Sequence, residues 1–120
     1  MKSYLLDTSF LIDLMKQHPG ALSIHDQIKG KERTSIICAY ELAKYSEEAA
    51  QVILKKDTVP FEKSDALEAA KIFRKLRGIG KMIPELDIMI AGTAVSRGLI
   101  LITRDKHYKR VDGLNLEFYR

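Results

Sequence analysis

The sequence predicts an α/β fold of three layers, with helices covering both faces of a central, mostly parallel sheet. Three observations predict it. Short apolar runs of strand length alternate along the chain with segments whose apolar residues recur at helical spacing. Strands separated by helices pair in parallel, because parallel neighbours need helical crossovers. And 120 residues, 46% of them hydrophobic and 30% charged, suffice for one core and one domain, residues 1–120, but not for two.

The elements follow in order. Tyr4-Leu5-Leu6 reads as a buried strand, and Asp7-Thr8-Ser9 then offers capping groups for a helix running to about Met15. Pro19-Gly20 breaks the chain before a short helix from about Ala21 to Ile28, and Gly30-Lys31 makes a turn. Thr34 to Ile37 reads as a second strand. Ala39, Leu42, Ala43 and Tyr45 then suggest a helix over about 38–48, with Glu41 in its first two turns. Thr58-Val59-Pro60-Phe61 reads as an edge strand, since proline cannot donate to a ladder. Ser64 or Asp65 caps the next helix, whose stripe is Ala66, Ala69, Ala70, Phe73 and Leu76, and Gly78 and Gly80 end it. Pro84 at a first helical position, with Glu85 behind it, opens a helix that carries Asp87 and closes at Gly98. Leu99 to Ile102 reads as the most buried strand, ending at Thr103-Arg104-Asp105. Leu114 to Tyr119 alternates as a final strand.

Composition excludes several classes. No stretch approaches the roughly 20 apolar residues that span a bilayer, and Asp7 and Asp13 interrupt any signal-peptide core. The lone Cys38 forms no internal disulfide and is expected as a small core residue. The cytoplasm is therefore the expected compartment. A net charge of +4 favours polyanionic partners only modestly.

In an open parallel sheet the site lies outside the carboxyl ends of the strands. Asp7 and Asp105 follow strands, and Glu41 and Asp87 lie early in helices whose N-terminal ends face the same rim, so four acids are expected to converge. Each close pair of carboxylates at 4 Å costs on the order of 4 kcal/mol at an effective dielectric near 20. Raised pKa values or a hard divalent cation must offset that repulsion, and an all-oxygen site without histidine or thiol ligands suits Mg²⁺ or Mn²⁺ rather than zinc. Such an ion suits phosphodiester hydrolysis by in-line attack of water. Arg104, Lys106, Lys109, Arg74 and Arg77 are candidate rim contacts to a nucleic-acid backbone.

Taken singly, each acid has a structural explanation: Asp7, Asp87 and Asp105 as helix or turn caps, Glu41 as a partner for Lys44. Asp13 and Glu85 are expected at the solvated surface. His18, His25 and His107 show no metal-ligand spacing. Arg77-Gly-Ile-Gly-Lys81 lacks the spacing and hydroxyl of a phosphate-binding loop. An aspartate-nucleophile phosphotransferase would want a second acid at Ser9.

The series Leu-Leu-Asp-Thr-Ser-Phe-Leu-Ile-Asp-Leu, Tyr-Glu-Leu, Glu-Leu-Asp-Ile-Met-Ile-Ala-Gly-Thr-Ala and Gly-Leu-Ile-Leu-Ile-Thr-Arg-Asp resembles a PIN domain over nearly the whole chain. Within that family it is similar to the compact VapC-type toxins of prokaryotic toxin–antitoxin pairs. The resemblance implies that Asp7, Glu41, Asp87 and Asp105 ligate Mg²⁺ or Mn²⁺, with Thr8 and Thr103 as hydroxyl support. It implies an RNA substrate, an antitoxin partner laid across the acidic groove, and a homodimer. The alternatives are a processing nuclease outside a toxin system and a noncatalytic RNA- or protein-binding module on the same fold.

Overall fold

The computed structural model describes residues 1–120. Five strands form one sheet: β1 (Tyr4–Leu6), β2 (Glu32–Ser35), β3 (Thr58–Val59), β4 (Ile100–Thr103) and β5 (Leu116–Phe118). Their order is β3-β2-β1-β4-β5 and every pairing is parallel. The helices are α1 (Thr8–Met15), α2 (Pro19–Ile28), α3 (Ile36–Tyr45), α4 (Glu47–Leu54), α5 (Lys63–Gly78) and α6 (Glu85–Arg97), with a 3₁₀ turn at Lys106–Arg110. The architecture is three-layered α/β/α, as expected, with a sheet that is parallel throughout.

Local chemistry moved several boundaries. Ile36 and Ile37 open α3 instead of ending β2, because Ser35 Oγ accepts the Cys38 amide at 3.1 Å and caps the helix. The helix expected over 38–48 stops at Tyr45; Ser46 is extended, and its hydroxyl caps a separate α4 by accepting the Ala49 amide at 3.0 Å. Pro19 and Gly20 begin α2 rather than break the chain, because His18 Nδ1 accepts their helix's first amides. Asp65 is not the cap of α5 but sits in its first turn, accepting the backbone amide of Glu62 at 2.8 Å. Pro84 precedes α6 rather than occupying its first turn. Of the expected α5 stripe, Ala69 and Leu76 are buried with Ile72, while Ala66 and Ala70 are exposed.

The core runs through the middle of the sheet. Leu5, Leu6, Leu101 and Ile102 are fully or almost fully buried and pack with Phe10, Leu42, Leu76, Ile88 and Ile90. The helices α5 and α6 meet closely at Gly92, where a Cβ would come within 2.7 Å of the Ala69 backbone. Only glycine permits that approach.

Sheet order locates the site. From β1 the chain winds outward through β2 to β3, then returns to the other side of β1 to lay down β4 and β5. The winding reverses between β1 and β4, so the crevice beyond their carboxyl ends is the topological switch point. Asp7 follows β1 there, and Asp105 lies two residues beyond the end of β4.

Candidate active site

Asp7 stands at the N-cap position of α1, yet its side chain caps nothing. Its carboxylate turns inward, where Oδ2 accepts Thr103 Oγ1 at 2.7 Å and Ser9 Oγ at 3.1 Å, and Oδ1 accepts Tyr108 OH at 3.1 Å. Only 2% of the residue is exposed. Burial, with the charges of Asp87 and Asp105 added, pushes its pKa up to about 7 against the hydrogen bonds of Thr103 and Tyr108. No lysine or arginine pairs with Asp7, Asp87 or Asp105.

Asp87, in the first turn of α6, lies 2.9 Å from His107 Nε2. Burial raises its pKa, the His107 charge and the Tyr108 hydroxyl oppose that, and Asp105 adds to it. Asp105 follows β4, its amide donating to Thr103 Oγ1 at 3.0 Å, and its side chain does not cap the 3₁₀ turn after it. Glu41, half-buried on α3, accepts Thr8 Oγ1 at 2.6 Å and makes no ion pair with Lys44. The buried Cys38 thiol lies within the electrostatic reach of both Asp7 and Glu41. Burial pushes that thiol up to about 12, so it is no thiolate nucleophile. Thr8 and Thr103 thus each sit on a carboxylate.

The structure brings Asp7, Asp87 and Asp105 into one electrostatic neighbourhood and hangs Glu41 beside them. No three acids, histidines or cysteines stand close enough together to enclose an ion; Glu41 accepts from Thr8, and Asp87 lies against His107. The donor set nevertheless fits a hard divalent cation: it is all oxygen, and its buried carboxylate lacks a countercharge.

Three neighbours of the acids were not expected. Ser9, Tyr108 and His107 contact the acids, and His107 had been set aside for lack of ligand spacing. Its signal was its place two residues after Asp105, on the same rim. Asp13, expected in solvent, is 3% exposed; Tyr119 OH, Arg104 and Arg120 all reach its carboxylate. Those partners come from beyond β4 and β5, and no local pattern foretells them. Glu85 is exposed as expected. Of the candidate rim cations, Arg104 faces Asp13, while Lys106 and Lys109 lie over the Phe118 ring at 3.7 and 5.5 Å. Arg74 and Arg77 instead border an apolar groove on α5 and α6, between Phe61, Phe73, Ile88 and Met89. No helix is long and apolar enough to cross a membrane.

Comparison with known proteins is consistent with this geometry. The PIN domain profile matches residues 4–114. Ribonuclease VapC2 of Haemophilus influenzae is 34% identical over 129 residues, covering 98% of each chain. The tRNA(fMet)-specific endonuclease VapC of Shigella flexneri is 28% identical over 130 residues, again covering 98% of each. The structure of VapBC-1 from nontypeable Haemophilus influenzae superposes with a TM-score of 0.83 at 26% identity, over 97% of each chain.

Proposed function

This chain belongs to the PIN-domain family, and from that premise we propose that it is a Mg²⁺- or Mn²⁺-dependent endoribonuclease, the toxin of a toxin–antitoxin pair. The observation that carries the reading is the buried, uncompensated Asp7 beside Asp87 and Asp105 at the sheet's switch point. A chain does not bury a carboxylate without a countercharge cheaply, so a ligand cation is the natural complement.

Asp7, Glu41, Asp87 and Asp105 would hold the ion. When bound, such an ion supplies Lewis acidity at a phosphoryl oxygen and charge to the departing oxygen. The chain's own groups do the rest. Thr103, Ser9 and Tyr108 fix both oxygens of Asp7, so its position costs no reorganisation when substrate arrives. Thr8 orients Glu41 and His107 orients Asp87. Water adds to phosphorus in line as one ester oxygen leaves, and no side chain becomes covalently attached. Relatives named ribonuclease and tRNA endonuclease support RNA as the substrate class, and the likeness to VapBC-1 supports a bound protein partner.

The test is cleavage of labelled single-stranded RNA and of tRNA by the purified protein with Mg²⁺, Mn²⁺ or EDTA, beside Asp7→Asn. Metal-dependent cleavage that falls at least roughly 100-fold in the variant is expected. Equal behaviour of the two proteins under every condition would overturn the nuclease reading and favour a binding module.

A further inference from the structure

Beside the acidic pocket, one carboxylate holds two arginines. Arg104 Nη1 lies 3.2 and 3.1 Å from the two oxygens of Asp13, and Arg120 Nη1 lies 3.1 Å from Oδ2. Tyr119 OH donates to the same Oδ2 at 2.5 Å and sits edge-on against Phe10. The acid's side chain is only 5% exposed, but those of Arg104 and Arg120 are 40% and 45% exposed.

The geometry points to a phosphate-binding subsite: Arg104 and Arg120, pinned by Asp13, seat the RNA strand next to the acidic pocket. The inference rests on the ribonuclease reading and deepens it. Four carboxylates repel a polyanion, so a strand reaching Asp7 needs fixed positive charge close by.

Three features favour a binding role over a merely structural one. One carboxylate does not neutralise two guanidiniums. Each guanidinium reaches Asp13 through Nη1 alone, leaving most of its five donors for a phosphate. By contrast, where this chain needs only to neutralise a buried acid it uses a single, mostly covered arginine: Arg97 spends Nε and Nη2 on Asp65, Glu62 and Pro60 and is 21% exposed.

The location fits. Ser9 joins the two sites: its hydroxyl donates to Asp7, the Arg104 amide donates to that hydroxyl at 3.5 Å, and its carbonyl oxygen lies 3.0 Å from Tyr119 OH, sharing with Asp13 the one proton of that hydroxyl. Asp7 and Asp13 stand six positions apart along α1, about 9 Å of helical rise. Arg104 lies in sequence between Thr103, which donates to Asp7, and Asp105. Lys106 Nζ, 3.2 Å from the Arg120 carbonyl oxygen, extends the positive edge. Because Asp13 already orders the two long side chains, a phosphate is bound with less loss of rotamer freedom.

The test is fluorescence anisotropy of a labelled single-stranded RNA in EDTA over a salt series, for wild type, Arg104→Gln, Arg120→Gln, Arg104→Lys and, as a charge control, Lys75→Gln. Each glutamine variant should bind roughly tenfold more weakly, with a salt slope smaller by about 0.7. Arg104→Lys should keep the slope but lose affinity, and Lys75→Gln should change neither. If Arg104→Gln melts early, Asp13→Asn/Arg104→Gln, which removes the stranded charge, takes its place. Wild-type affinity and slope in both glutamine variants, or no wild-type binding at all, would overturn the subsite. Cleavage with Mn²⁺ separates the two readings. Arginine variants that lose binding while the wild type never cleaves would sink the nuclease alone; a wild type that cleaves and arginine variants with unchanged KM would sink the subsite alone.

Discussion

Asp65 at the seam of α5 and α6 and Asp7 at the carboxyl edge of the sheet, just past its central strand, are both buried, with 0% and 2% of the residue exposed, and the chain surrounds them in opposite ways. Around Asp65 it supplies Arg97 through two nitrogens, the Ser96 hydroxyl and the Glu62 amide. Although burial alone would raise its pKa, Arg97, Ser96 and the amide outweigh that and hold the carboxyl below the usual range. Around Asp7 it supplies hydroxyls and two more acids, and the pKa rises to about 7. This fold can neutralise a buried acid when it needs one for packing. On the proposed reading, the acid it leaves without a cation is the one that takes an ion from outside the chain.

The largest effect comes from breaking the seam. Arg97→Met leaves Asp65 buried without its partner and is expected to cost about 3 kcal/mol, near the low end for a stranded buried charge because Asp65 can take up a proton. A urea midpoint lowered at pH 7 checks it; an unchanged midpoint would mean that the two buried acids are not different in kind. The edge responds with the opposite sign. Asp7→Asn removes a charge that burial and repulsion penalise, so the metal-free variant should be more stable than wild type at pH 8. The gain is roughly 2 kcal/mol, about half of what the raised pKa is worth at about 1.4 kcal/mol per pKa unit, since the amide keeps only part of the hydrogen bonding. A variant that loses function while gaining stability marks a site built for chemistry, and melting curves in EDTA read it directly.

The same contrast explains what the sequence disclosed. Asp7 and Asp105 were legible because each follows an apolar strand, and Asp87 because proline and acid announce a helix start; the switch-point rule then put them on one rim. The alternation of strands and helices foretold the sheet for the same reason. The Ser46 break was not legible, since 38–48 keeps helical spacing across it and a capping serine looks like any other. Nor was Asp13: its partners Arg104, Arg120 and Tyr119 lie 91, 107 and 106 residues away, and nothing near Asp13 distinguishes it from a solvated helix acid. Likewise Asp65 looks like an N-cap until Arg97 is folded over it. Long-range charge pairing is the part of this molecule that local pattern does not carry.

The sharpest test of the comparison is the pH dependence of the metal-free protein. Asp65 has a folded pKa below its unfolded one, so its stabilisation is complete above about pH 4 and is lost as pH falls through the folded value. Asp13 behaves alike: burial is outweighed by the bonds from Tyr119 and the arginines, and its pKa is lowered. Asp7 has the reverse sign. Its folded pKa of about 7 lies above its ordinary 3.8, so its contribution is complete below about pH 4 and fades as pH rises through 7. Wild-type stability should therefore climb as pH drops from 8 toward 5 and then fall below 4, while Asp7→Asn should lack the climb and keep the fall. The two midpoints should cross at about pH 5.5, below which the variant is the less stable protein by the hydrogen bonding that the amide does not recover. If the variant instead retained the full climb, the proton taken up between pH 8 and 5 would belong to another group, and Asp7 would not be the acid this fold leaves uncompensated.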